Sequence, residues 1–198
     1  GYEPTTTEPG FRGSLLERVR LLPGASEAVP VPSCRLDPDS SGVCLFARSA
    51  AVLPEVERAG ATSSHTFVAL ARGVTHKKGN IRRPVPRARR LAPANTRYQR
   101  EAIHGGHSLL TMVPEHGSTA FIRQHLAGVG HPVLGDTRNG DTASNSFFEH
   151  RHGLDRSFLH RSELVLPLAA GPLTLKAALP GELAAVLASL SEQPAPTR

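Results

Sequence analysis

Two cysteines are all the thiol chemistry this chain has. Cys34 and Cys44 show neither the paired spacing of a zinc site nor the framework of a small secreted disulfide scaffold. A reduced, cytoplasmic protein is expected. No run of about 18 apolar residues occurs, and the N-terminus lacks a basic-then-apolar signal pattern. Neither membrane insertion nor export is indicated. Internal repeats are missing, and so is the regular strand-helix-strand alternation of a parallel sheet. One stretch lacks anions: KKGNIRRPVPRARR, residues 77–90, holds seven cations and no Asp or Glu. Lys plus Arg exceed Asp plus Glu by 23 to 17 over the whole chain, so much of the excess is local. A polyanionic partner is the first expectation for that stretch, and a solvated loop is the bland alternative.

What is present suits one domain, since 198 residues can bury most of the surface that their unfolded form exposes. Gly1 is not an initiator methionine, and GYEPTTTEPG opens as though in mid-loop. The expectation is a single domain over 1–198, cut from a longer chain, with 192–198 as a flexible tail. Ser14 can cap a helix, SLLERVRLL, whose Leu15, Leu16, Val19 and Leu22 share a face. VCLFA (43–47) reads as a short strand, SAAVLPEVERAG as a helix that Pro54 starts or distorts, and HTFVALARG (65–73) as a strand ending in a turn. The prolines and glycine of the basic stretch read as a loop. NTRYQREA and HSLLTMVPEHG predict two antiparallel strands around His104, Gly105 and Gly106. STAFIRQHLAGVG predicts a helix capped by Ser118 or Thr119, with Ile122, Leu126 and Val129 on one face and Arg123 beside it. HPVLGDTRNGDTASN is turn-rich. SELVLPL and PLTLKAAL read as strands, and PGELAAVLASL as a final helix. Together these imply a mixed α/β (α+β) domain on a largely antiparallel central sheet with flanking helices and loops.

The stretch SCRLDPDSSG (33–42) sets Asp37 and Asp39 between an arginine and a Ser-Ser-Gly turn. An Asx-turn would account for either aspartate. The Asp-x-Asp nucleophile loop of haloacid-dehalogenase-type phosphatases follows an apolar strand, whereas Pro30, Pro32 and Ser33 precede this one. The wider pattern points elsewhere. RLDPDSSG resembles the Arg-Leu-Asp-x-x-Thr/Ser-Ser-Gly motif of RluA-type pseudouridine synthases. Further matches follow in that family's order. FVALARG (67–73) resembles its Tyr-x-Ala-x-x-x-Gly strand, IRQHLAGVGHPVLGD (122–136) its Ile/Leu-Arg-x-His-Leu-x-x-x-x-His-Pro-Ile-x-Gly-Asp segment, and FLH (158–160) its late Leu-His. The DTRNGDTASNSFFEHRHGLDRSFLH insertion is most similar to the TruC-like branch, which acts on transfer RNA. The resemblance covers roughly Ser14 to Ala178.

That resemblance implies the pseudouridine synthase catalytic fold and an isomerase that detaches uracil from ribose, turns it and rejoins it through carbon, without cofactor or metal. Asp37 matches the required aspartate, acting as nucleophile or as the base that abstracts a ribose proton. Arg123 matches the arginine that pairs with it, a helix-surface cation being the alternative. Phe67 stands where the family has the tyrosine that stacks on uracil, keeping the aromatic face without the hydroxyl. Arg35 matches the arginine that fills the stack vacated by the flipped base, unless it simply binds phosphate. Ile122, Lys77, Lys78, Arg82, Arg83, Arg89 and Arg90 complete the expected RNA contacts. Asp39 reads as a turn residue.

Departures fall on polar, RNA-contacting positions. GSTAF replaces Gly-Arg-x-His-Gln, so Ser118, Ala120 and Phe121 stand for Arg, His and Gln, and Cys34 replaces the usual His. The family's opening strand and Lys-Pro-x-Gly loop are absent before GYEP. His104 with His107, or His150 with His152, could ligate a metal, but neither pair has further ligands at a known spacing, and no metal is expected. The expected partner is transfer or ribosomal RNA, with no membrane, a monomeric state, and an N-terminal domain of the same chain as a further candidate. A catalytically weakened RNA-binding domain of the same fold is the alternative function.

Overall fold

The computed structural model describes residues 15–22, 31–33, 36–87, 90–115 and 117–192. Helix α1 (Leu15–Arg20) buries Leu16 but leaves Leu22 exposed, so the expected apolar face is narrower. Short strands β1 (Val31–Pro32), β2 (Ser41–Gly42) and β3 (Phe46–Ala47) follow. The strand expected over 43–47 is thus reduced to its last two residues, which pair with β1, while β2 joins the main sheet. Helix α2 (Leu53–Ala61) carries Pro54 in its first turn, where a missing N–H costs no helix bond.

Strands β4 (Ser64–Ala71), β5 (Lys78–Arg82), β8 (Asn95–His104), β9 (His107–Pro114), β10 (Leu159–Leu168) and β11 (Gly171–Lys176) run in the order β11-β10-β4-β9-β8-β5, each pair antiparallel. Strand β2 adds the parallel pairing, placing Ser41 opposite His160 and Gly42 opposite Arg161. Gly105 and Gly106, at φ +54 and +81, make the two-residue turn between β8 and β9. The sheet is buried on both faces. Phe67, Ala69 and Ala71 of β4 join Leu110, Met112, Ile122 and Leu126 on the side of α3 (Thr119–Gly128). Leu70 turns to the other side, where Phe148 of α4 (Thr142–His152) and Leu183, Val186 and Leu190 of α5 (Gly181–Ser191) pack. Two covered faces explain why β4 reads as a nearly continuous apolar run.

The basic stretch is not a loop. Its first half is β5, held on β8 with Ile81 buried and its cations turned outward. Its second half is a hairpin of β6 (Val85–Arg87) and β7 (Arg90–Ala92), a two-stranded ladder apart from the main sheet. An outer edge there lets Pro86 sit in a strand without costing a central ladder bond. The stretch read as turns also hides α4. Asp141 caps it by accepting from Ser144 N at 2.7 Å, and Gly153 closes it at φ +68. Val129, placed on the apolar face of α3, is its exposed C-cap. Among the described residues no helix is long and apolar enough to cross a membrane. Ser14, Cys34, Arg35, Arg89 and the tail at 193–198 lie outside the described residues.

Candidate active site

Leu36 is buried in the cluster between sheet and α3, and it anchors the loop that follows. Pro38 sits at the second position of a tight turn closed by Ser40 N donating to Asp37 O at 2.9 Å. Asp37 N donates to Thr119 Oγ1 at 3.3 Å. Thr119 and Arg123 are four residues apart on α3 and therefore share a face. That face meets the loop: Arg123 Nη1 donates to Asp37 Oδ2 at 2.9 Å and to Asp39 Oδ1 at 2.8 Å.

The loop ends in a glycine for a steric reason. Gly42 has φ +117, and a Cβ there would overlap the carbonyl oxygen of Arg161. Val43 N donates to that same oxygen at 3.0 Å. Ser41 is tied down as well. His160 Nε2 donates to Ala177 O at 3.1 Å, which leaves Nδ1 to accept from Ser41 Oγ at 2.9 Å. Burial foremost lowers the pKa of His160, in keeping with a neutral ring. Arg156 adds a bond from Nη2 to Ser41 Oγ at 3.0 Å and an ion pair to Glu182 at 2.9 Å. A cleft of about 430 Å³ borders this loop, lined by Leu15, Leu36, Pro38, Ser40, Ser41 and Arg156 among others.

Arg123 is the hub of three carboxylates. Its Nη2 donates to Asp136 Oδ1 at 2.5 Å. Asp136 is fully buried and also accepts from Arg138 N at 2.9 Å, Asn139 N at 3.1 Å and Asn139 Nδ2 at 3.1 Å. Asn145 of α4 clamps the same segment, donating to Asp136 O at 2.8 Å and accepting from Gly135 N at 3.0 Å. Burial opposes charge on both partners. It is outweighed at Asp136 by Arg123 and the two backbone donors, which hold the carboxyl below its usual range. At Arg123 it is outweighed by the three carboxylates, which raise the guanidinium pKa above its ordinary value. Asp39 goes the other way: burial, helped by neighbouring Asp37, raises its pKa despite Arg123. Side-chain exposure separates the three: 20% for Asp37, 25% for Asp39 and none for Asp136. Only the first two can meet a substrate.

The fold thus brings Asp37 and Arg123 together as the family resemblance implies. Arg123 is buried rather than a surface cation, and Asp39 is the third residue of the turn while also pairing with Arg123. Phe67 lies in the cluster of Leu36 and Ile122, 0% exposed, with the Arg161 guanidinium 5.2 Å from its ring centroid. Ile122, expected among the RNA contacts, is fully buried and packs beneath the site. Lys77, Lys78, Arg82 and Arg90 are exposed; exposed Arg83 is engaged with the carbonyl of Gly128. Phe121, standing for the family glutamine, is buried with Val85 and Ala94 under the hairpin. His104 and His152 bond to serines of α5, and His150 bonds back to Ser146 O. No cluster of three metal-binding side chains occurs among the described residues. Sequence reasoning missed Asp136, Asn145, Arg156 and Arg161 as parts of the site. Asp136 lay inside the matched HPVLGD segment, so the signal was present but its partner was not.

No family model matches the sequence. An uncharacterized RNA pseudouridine synthase of Chloroflexus aurantiacus is 32% identical over 194 residues, covering 91% of this chain and 60% of that protein. The tRNA pseudouridine synthase C of Vibrio cholerae is 29% identical over 175 residues, covering 75% of this chain and 72% of that protein. The chain is thus similar to RNA pseudouridine synthases, as its ordered motifs imply. Its fold agrees with that likeness. The structure of human RNA pseudouridylate synthase domain containing 4 matches with a TM-score of 0.77 at 21% identity, over 96% of this chain and 87% of that one. The chain spans less than two thirds of the Chloroflexus relative.

Proposed function

We propose that this chain isomerises uridine to pseudouridine in structured RNA, with Asp37 as the reacting carboxylate. The supporting observation is the 2.9 Å pair between Asp37 and buried Arg123, in which the aspartate alone reaches solvent. In the net reaction the bond from ribose C1′ to uracil N1 breaks and one from C1′ to C5 forms. One proton leaves C5 and one ends on N1, so no outside electron carrier is required. Asp37 acts at the sugar, by attack on C1′ or by removing the neighbouring ribose proton. Either role needs an ionised, oriented carboxylate, which a guanidinium held by two further carboxylates supplies.

Transfer RNA is the favoured substrate class, from the likeness to the Vibrio protein and the TruC-like character of the α4 segment. Exposed cations along β5 and β7 would lie on RNA phosphates. Phe67 has a conditional part: because Arg161 covers its ring, stacking on a flipped uracil requires that guanidinium to move aside.

The deciding experiment compares the wild type with Asp37→Asn on transcribed transfer and ribosomal RNAs, reading pseudouridine by chemical-adduct primer stops. The variant should make no product while binding RNA within a few-fold of wild type. Equal product from both would remove Asp37 from the chemistry. No product from the wild type, at concentrations that visibly bind RNA, would instead favour a binding module of this fold.

A further inference from the structure

The two hydrogens of Arg123 Nη1 are divided between two carboxylates, Asp37 at 2.9 Å and Asp39 at 2.8 Å. Asp39 fills the Nη1 hydrogen that Asp37 leaves, so that the guanidinium plane is fixed from both ends, with Asp136 on Nη2. Asn at position 39 would keep an acceptor oxygen but not the charge.

We propose that Asp39 is a positioning residue for the isomerisation, holding the second hydrogen of Arg123 Nη1 and so fixing the guanidinium that orients Asp37. This rests on Asp37 being the reacting group. The charged groups facing Asp39 are Asp37 on its own loop, Arg123 of α3, and Asp136 of the following segment. Arg156 approaches its backbone carbonyl at 3.5 Å from the β10 side. Burial first, with Asp37 among the lesser causes, raises the pKa of Asp39.

Two variants of the full chain test the idea, read by kcat and KM on transfer RNA. Asp39→Ala, which leaves the second Nη1 hydrogen unfilled, should lower kcat by about 30-fold with KM near the wild-type value. Asp39→Asn, which keeps an acceptor oxygen there, should recover most of that loss. A wild-type kcat for Asp39→Ala, or a loss that Asp39→Asn does not recover, would overturn the proposal. Failure of the functional reading looks different: the wild type itself would then yield no pseudouridine from any RNA.

Discussion

Asp136 and Arg123 meet at 2.5 Å with both side chains buried, 0% and 1% exposed. Each offsets much of the cost of burying the other, because an unpaired ion in the interior costs several kcal/mol. This inner pair is what lets Arg123 present its other nitrogen to Asp37 and Asp39.

Asp136→Asn should therefore cost about 3 kcal/mol or more of stability, the range for removing one partner of a buried ion pair. Urea unfolding at neutral pH measures it. The sign of the acid dependence follows from the lowered pKa of Asp136. Its contribution is present above the ordinary value of 3.8 and is lost as pH falls through the folded value, so the variant's stability should change less below that point.

His65 predicts a second pH window. Ser63 Oγ donates to Gly60 O at 2.6 Å and so accepts from His65 Nε2 at 2.8 Å, which leaves Nδ1 buried with no hydrogen-bond partner. Burial foremost, then Arg161, lowers its pKa from 6.5 to about 4. The unfolded chain thus takes up the proton first. Stability from this group is complete above pH 6.5 and declines as pH falls toward 4, by about 3 kcal/mol in all. His65→Gln should flatten that part of the stability curve; identical slopes for variant and wild type would assign the loss to other histidines.

Gly42→Ala should be more damaging than a usual glycine replacement. Its new Cβ would strike the Arg161 backbone, on a φ of +117. A loss of about 2 kcal/mol or more and a displaced Asp37 loop are expected. Gly153→Ala is the control. That helix end also has a positive φ, but nothing lies within 4 Å, so about 1 kcal/mol is expected from thermal or urea unfolding.

The β5 and β7 cations should reveal themselves through salt. Replacing Lys78, Arg82 and Arg90 with Gln should weaken binding of all RNAs similarly and flatten the slope of log affinity against log salt by about 0.7 to 0.9 for each phosphate left without its cation. An unchanged slope in filter-binding titrations from low to moderate salt would return this strand to solvent.

Local chemistry made much of this protein legible from sequence alone. A nearly continuous apolar run gave β4, alternation gave the β8–β9 pair, the diglycine gave their turn, and the ordered motifs gave the pairing of Asp37 with Arg123. Weak local signals hid the rest. Prolines and charge made 77–90 look like a loop because an edge strand, needing only one paired side, tolerates both. Helix α4 was hidden by its polarity, as it buries only Phe148, although Asp141 and Gly153 marked its ends. Tertiary structure alone decided that one arginine serves three carboxylates drawn from positions 37, 39 and 136. It alone placed Arg161 over Phe67. Those contacts join segments distant in the chain, and no local propensity encodes which charges will share a desolvated space.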